Sequence, residues 1–199
     1  MSIMSGTRAN EWTLTEAARL LQQPEHRLIY LCEKRVVQPD LQDAGGRGSS
    51  RRFSPRNLLE FAVALRLRES DIPASTVAIV IRVLRAFEAG VSKRTPGFRL
   101  PESLQASKAP DLRAVISDGS KLYFTLRTGK STPKIYGGVD LRRLSPSRAK
   151  RSDIERKLAR STTPGRRVTP KGFGHPEGSD HTRIEVSITR IARDLRLKG

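Results

Sequence analysis

The stretch from Thr13 to Arg35, TLTEAARLLQQPEHRLIYLCEKR, constrains the fold more than any other part of the chain. Thr13 and Glu16 have the spacing of a capping box, in which each side chain satisfies a backbone amide at the other position, so a helix is expected from Leu14. Leu14, Ala17, Ala18 and Leu21 then recur on one face. Pro24 disfavours helical geometry at Gln23, which stops that helix after about two turns. A second helix is expected in EHRLIYLCEKR, with Leu28, Leu31 and Cys32 on the buried side and His26, Arg27 and Tyr30 elsewhere. Two short helices joined by a tight turn make a helix-turn-helix candidate.

The β-branched pair Val36 and Val37 is expected to form a short strand paired with Arg51 to Phe53. The intervening loop, within GGRGSSRRFSP, then becomes a wing whose glycines and serines keep the backbone pliable and whose arginines supply fixed cations. Ser54 and Pro55 read as an N-cap followed by the first helical residue, and Leu58, Phe61, Ala62 and Leu65 form the stripe of a helix. After the SDIP break, another helix is expected from Ala74 to Glu88, with Gly90 as its stop. Its apolar residues, including Ile79, Val83 and Phe87, exceed what one stripe holds. They call for a partner, either the later β-rich region or a second chain in a homodimer.

Residues 91–110, rich in Pro, Ser and basic side chains, read as a linker. In AVISDGSKLYFTL two apolar runs flank Asp118-Gly119, a hairpin signal, and KIYGGVDL supplies a third strand. From Arg142 to Lys171 there are 11 basic and 2 acidic residues, a composition that need not fold, with a brief helix expected around Ser152 to Arg160. Ile184, Ile188, Ile191 and Leu195 mark a terminal amphipathic helix. The expected class is α+β: a polar arm (1–11), a winged helix-turn-helix (12–90), the linker, a small β-rich region (111–141) and a basic, partly disordered tail (142–199).

Charge narrows the function. Lys and Arg number 38 against 20 Asp and Glu, for a net +18, more than solubility requires, so a polyanionic partner is expected. Residues 1–90 carry 13 basic and 10 acidic side chains and residues 91–199 carry 25 and 10, which puts bulk attraction in the second half. The lone Cys32 excludes an internal disulfide and a cysteine-based zinc site, fits a reducing compartment, and reads as a buried, inert thiol. No apolar run is long enough to span a membrane, and the first residues lack the pattern of a secretory signal. A cytoplasmic, nucleoid-associated location is expected, without a membrane partner.

In order along the chain, WTLTEAARLL, the turn, LIYLCEKRVVQP and SRRFSP resemble the MerR-type winged helix-turn-helix at the N-terminus of bacterial transcription regulators. The resemblance covers residues about 12–88 and implies double-stranded DNA binding, with the second helix in the major groove and the wing on the flanking backbone. This chain has Ile29, Leu31, Cys32 and Arg35 where the family usually has Arg, Tyr, Glu and Gly. It also lacks the heptad run of the family's usual dimerisation helix.

The residues support the same expectation on chemical grounds. Gln23, Glu25, His26 and Arg27 would stand at the start of the second helix, where Arg can pair bidentately with guanine and Gln with adenine. Tyr30 either reaches phosphate through its hydroxyl or covers the core. Arg47, Arg51 and Arg52 would straddle phosphates or enter a minor groove, and Ser54 with Arg56 would add a helix N-terminus that favours phosphate. Phe53 anchors the wing by packing, and Arg66 and Arg68 read as a solvated helix face.

Two enzyme-like patterns fail on inspection. TGKST lacks the earlier glycine of a phosphate-binding loop, since Phe124 stands at that position, and reads as a basic hairpin end. HPEGSDH groups His175, Glu177, Asp180 and His181 in a Gly/Pro-rich segment that reads as a loop. Neither an enzyme activity, a cofactor nor a metal is expected. Competing functions are a DNA-architectural or recombination accessory protein and an RNA- or ribosome-associated basic protein. Against the last stands an aromatic content of only 5%, which leaves few rings for base stacking.

Overall fold

The computed structural model describes residues 10–41, 51–93, 95–141 and 183–196. The first helix, α1 (Leu14–Leu21), starts on the Thr13–Glu16 capping box and ends at Gln22 in the left-handed conformation. Three residues later α2 (Glu25–Glu33) begins, and Leu28 and Leu31 are its buried residues. Cys32 is half-buried against the core rather than within it. The segment after α2 departs from expectation. Val36 and Val37 form no strand, because their amides both donate to the Leu31 carbonyl (2.8 and 3.3 Å) and so terminate α2. Phe53 pairs instead with Trp12, exchanging two backbone hydrogen bonds of 3.1 and 2.9 Å.

Ser54 caps α3 (Pro55–Arg68), in a second capping box completed by Asn57. The next helix, α4 (Ala74–Ser92), runs through Gly90 instead of stopping there; Val91 still packs against the core and keeps the last turn in place. Residues 91–110 are not a linker. They contain α5 (Glu102–Gln105), and Phe98, Leu100 and Leu104 are buried in the same core as the preceding helices.

Three strands follow: β1 (Asp111–Ser117), β2 (Lys121–Arg127) and β3 (Lys134–Asp140). Asp118 and Gly119 turn β1 into β2 with φ of 53° and 62°, the left-handed region that Asp and Gly tolerate best. TGKST lies in the connection from β2 to β3. A fourth strand, β4 (Arg183–Ser187), pairs antiparallel with β1, and the sheet order is β3-β2-β1-β4. Directly after it, α6 (Ile188–Arg196) packs on α3 and α5.

Residues 183–196, expected within a basic tail that ends in a helix, therefore belong to the fold. Ile184, expected on the terminal helix, lies on β4. Thr189 shows how firmly α6 is held: its hydroxyl accepts from the Leu112 amide and donates to the Pro110 carbonyl, both at 2.8 Å. The sheet also answers what covers α4. Ile79, Val83 and Phe87 are buried within the chain, and the Phe87 ring stacks on Phe124 of β2 with centroids 5.2 Å apart. That buried face of α4 is not available for a second chain, contrary to one expectation. The remaining expectations for 1–9, the Gly45–Ser50 loop, Arg142–Lys171, the helix at 152–160 and HPEGSDH lie outside the described residues.

Candidate nucleic-acid interface

The geometry of α2 follows from its two buried leucines. With Leu28 and Leu31 turned into the core, His26, Arg27, Ile29 and Tyr30 are left exposed, and Gln23 is half-buried just before the helix. The Arg27 guanidinium donates to the Gln23 side-chain carbonyl at 2.8 Å, so the two groups best suited to base edges are already aligned with each other. Tyr30 is 39% exposed, and the Lys34 ammonium lies 5.7 Å from its ring centroid. Pro24 caps α2 without a side-chain hydrogen bond. A Thr15 to Glu25 hydrogen bond of 3.2 Å links α1 to the first turn of α2.

The expected wing residues separate into groups. Arg51 and Arg52 are half-buried on the approach to Phe53, whose ring is fully buried and meets Phe61 edge-on at 5.2 Å. Arg47 lies outside the described residues. Ser54 and Arg56 are engaged by the fold itself. The Ser54 hydroxyl donates to Asp40 at 3.0 Å and accepts the Asn57 amide at 3.2 Å, while Arg56 lies 3.0 Å from Glu88 and 3.8 Å from Asp40. Asp40 and Glu88 of this chain thus engage the Ser54 hydroxyl and the Arg56 side chain, the groups expected to face phosphate.

Those contacts belong to a polar network that sequence reading missed. The buried Glu60 carboxylate accepts two hydrogen bonds from Arg85 and one of 3.1 Å from Asn57. Asn57 also donates to the Gln38 carbonyl at 2.9 Å and accepts the Asp40 amide at 2.9 Å. Arg85 reaches the Gln38 carbonyl and Asp40 as well, at 3.1 and 3.3 Å. Burial pushes the Glu60 carboxyl above the usual range, against the opposing hydrogen bonds and charge of Arg85. The network pins residues 38–40, where the chain leaves α2 for the Gly-rich loop, onto α3 and α4. A signal was present for one member: Glu60 is the single charge in the otherwise apolar run LLEFAVAL of α3.

Beside this network, a groove of about 840 Å³ is lined by Arg35, Arg56, Arg82, Arg85 and Arg99 together with Asp40 and Glu88. Among the described residues no group of three or more His, Cys, Asp and Glu is placed to hold a metal ion. None of their helices is long and apolar enough to cross a membrane. Compared with known proteins, the chain matches no protein-family model and no curated protein.

Proposed function

We propose that this chain is a sequence-preferring double-stranded DNA-binding protein acting as a transcription regulator, with α1 and α2 as a helix-turn-helix. The observation that carries the reading is the outward face of α2, where Gln23, His26, Arg27 and Tyr30 stand together while Leu28 and Leu31 hold the helix against the core. An α-helix is about 10–12 Å across with its side chains, which matches a major groove about 12 Å wide, and the nine residues of α2 let three or four such side chains reach base edges at once. Arg51 and Arg52 follow the Gly-rich loop and would supply backbone contacts as the base of a wing. The net charge of +18 provides the sequence-independent attraction that non-specific DNA binding needs. This reading places the protein on the nucleoid.

The test is a titration of the full chain with a duplex DNA of 20–30 base pairs and with an RNA duplex of the same sequence, at several salt concentrations. The reading expects DNA to be preferred, and Arg51→Ala to lower the log–log salt slope by about 0.9 for the one phosphate lost. Preference for RNA would contradict it.

A further inference from the structure

We infer, on the reading of α2 as the helix that meets DNA, that Ile29 is a specificity-determining residue which senses the C5 methyl group of a pyrimidine in the major groove. Only four large apolar side chains are exposed among the described residues: Ile29, Tyr30, Leu41 and Ile135. Two of them are neighbours on α2, and Leu41 stands where the chain leaves α2 for the Gly-rich loop. Three of the four thus fall on the segments assigned to DNA. Leu28, Leu31 and Cys32 pack into or against the core, whereas Ile29, 36% exposed, does not. A single exposed apolar residue is ordinary on a protein surface; Ile29 is set apart by its neighbours.

His26 precedes Ile29 by three residues, and Glu25 and Glu33 stand four residues before and after it, so all four project from one side of the helix. Both glutamates are exposed, and their carboxylates repel phosphate. Ile29 itself has no group that can hydrogen-bond. With α2 in the groove, this side of the helix therefore meets base edges rather than backbone. The apolar group on a major-groove base edge is the C5 methyl of thymine, and a methylated cytosine carries the same group at the same position. Beside that methyl, thymine presents a carbonyl oxygen and cytosine an amino group, and a carboxylate accepts a hydrogen bond only from the amino group. The two sources of the methyl are therefore separable by experiment.

The experiment takes the duplex that the full chain selects from a random pool and replaces its thymines by deoxyuridine one at a time, then its cytosines by 5-methylcytosine. Each duplex is titrated with the parent, Ile29→Ala and Ile29→Val. At one position of the selected site the parent is expected to bind the methylated base about fourfold more tightly than the unmethylated one, the worth of one buried methyl. Ile29→Ala should abolish that ratio and Ile29→Val should keep most of it, while thermal unfolding of both variants stays cooperative. A ratio found at a thymine assigns the methyl to thymine, and one found at a cytosine assigns it to 5-methylcytosine. No methyl-dependent position, or a ratio that survives Ile29→Ala, would overturn the role of Ile29 while leaving the selected sequence, and with it the DNA reading, in place. Failure to select any sequence would overturn the DNA reading and the role of Ile29 together.

Discussion

Arg85 holds the carboxylate of Glu60 through two nitrogens, Nε and Nη2, one to each oxygen, across the packed faces of α3 and α4. Glu60 is 1% exposed, so removing Arg85 leaves a buried charge with only Asn57 to satisfy it. Arg85→Ala is expected to destabilise the fold at neutral pH by about 3 kcal/mol. Because burial raises the Glu60 carboxyl, the cost of burying its charged form is present above its folded-state midpoint and fades as pH falls through that midpoint toward the ordinary carboxylate value. The gap between variant and parent should therefore narrow on acidification. Urea unfolding of both proteins at neutral and acidic pH checks this, and an equal gap at both would refute it.

The α1 cap titrates in the opposite direction. The backbone amide of Thr13 donates to Glu16 at 2.7 Å and its hydroxyl at 2.9 Å; these bonds hold the carboxyl below the usual range. A lowered folded-state value means that the stabilisation is fully present above the ordinary glutamate value and is lost as pH falls through the folded one. In a carbon-detected NMR titration Glu16 should show a midpoint below the usual carboxylate range. Thr13→Ala should cost about 1 kcal/mol.

Arg35 ends α2 with φ of 54°, while its amide donates to the Cys32 carbonyl at 2.9 Å. Left-handed geometry strains any side chain with a Cβ, and glycine adopts it freely. Arg35→Gly is expected to raise stability by about 1 kcal/mol, read as a higher denaturation midpoint. A lower midpoint would show that the arginine side chain contributes more to the fold than its backbone strain takes away.

Phe87 and Phe124 join the helices to the sheet. Phe124 is fully buried in the same core as α3 and α4, so Phe124→Ala is expected to destabilise the whole chain in one transition by about 3–5 kcal/mol. A fragment ending at Lys93 should be less stable than the full chain, since it exposes the α4 face that the sheet covers. A fragment of equal stability would contradict the single-core account.

What was legible in the sequence was local. The Thr13–Glu16 capping box, the Ser54 N-cap and the Asp118-Gly119 turn depend on neighbours within a few residues, and the exposed face of α2 follows from the spacing of Leu28 and Leu31. What was not legible depends on distant pairing. Ile184 fits the helical spacing of Ile188 and Ile191, yet β1, some 70 residues earlier, recruits it into β4. Val36 and Val37 suit a strand, but α2 uses their amides. The partners of Ser54 and Arg56, Asp40 and Glu88, are remote in sequence and left no local signal.

The most direct test of the central account compares DNA preference before and after the α2 face is altered. Duplexes selected by the full chain from a random pool would be measured against scrambled duplexes, for the parent and for Gln23→Ala and Arg27→Ala. The account expects an enriched sequence, and each substitution should reduce preference for it by about 1–3 kcal/mol while scrambled duplexes change much less. No enriched sequence, or a preference that survives both substitutions intact, would contradict α2 as the element that reads DNA.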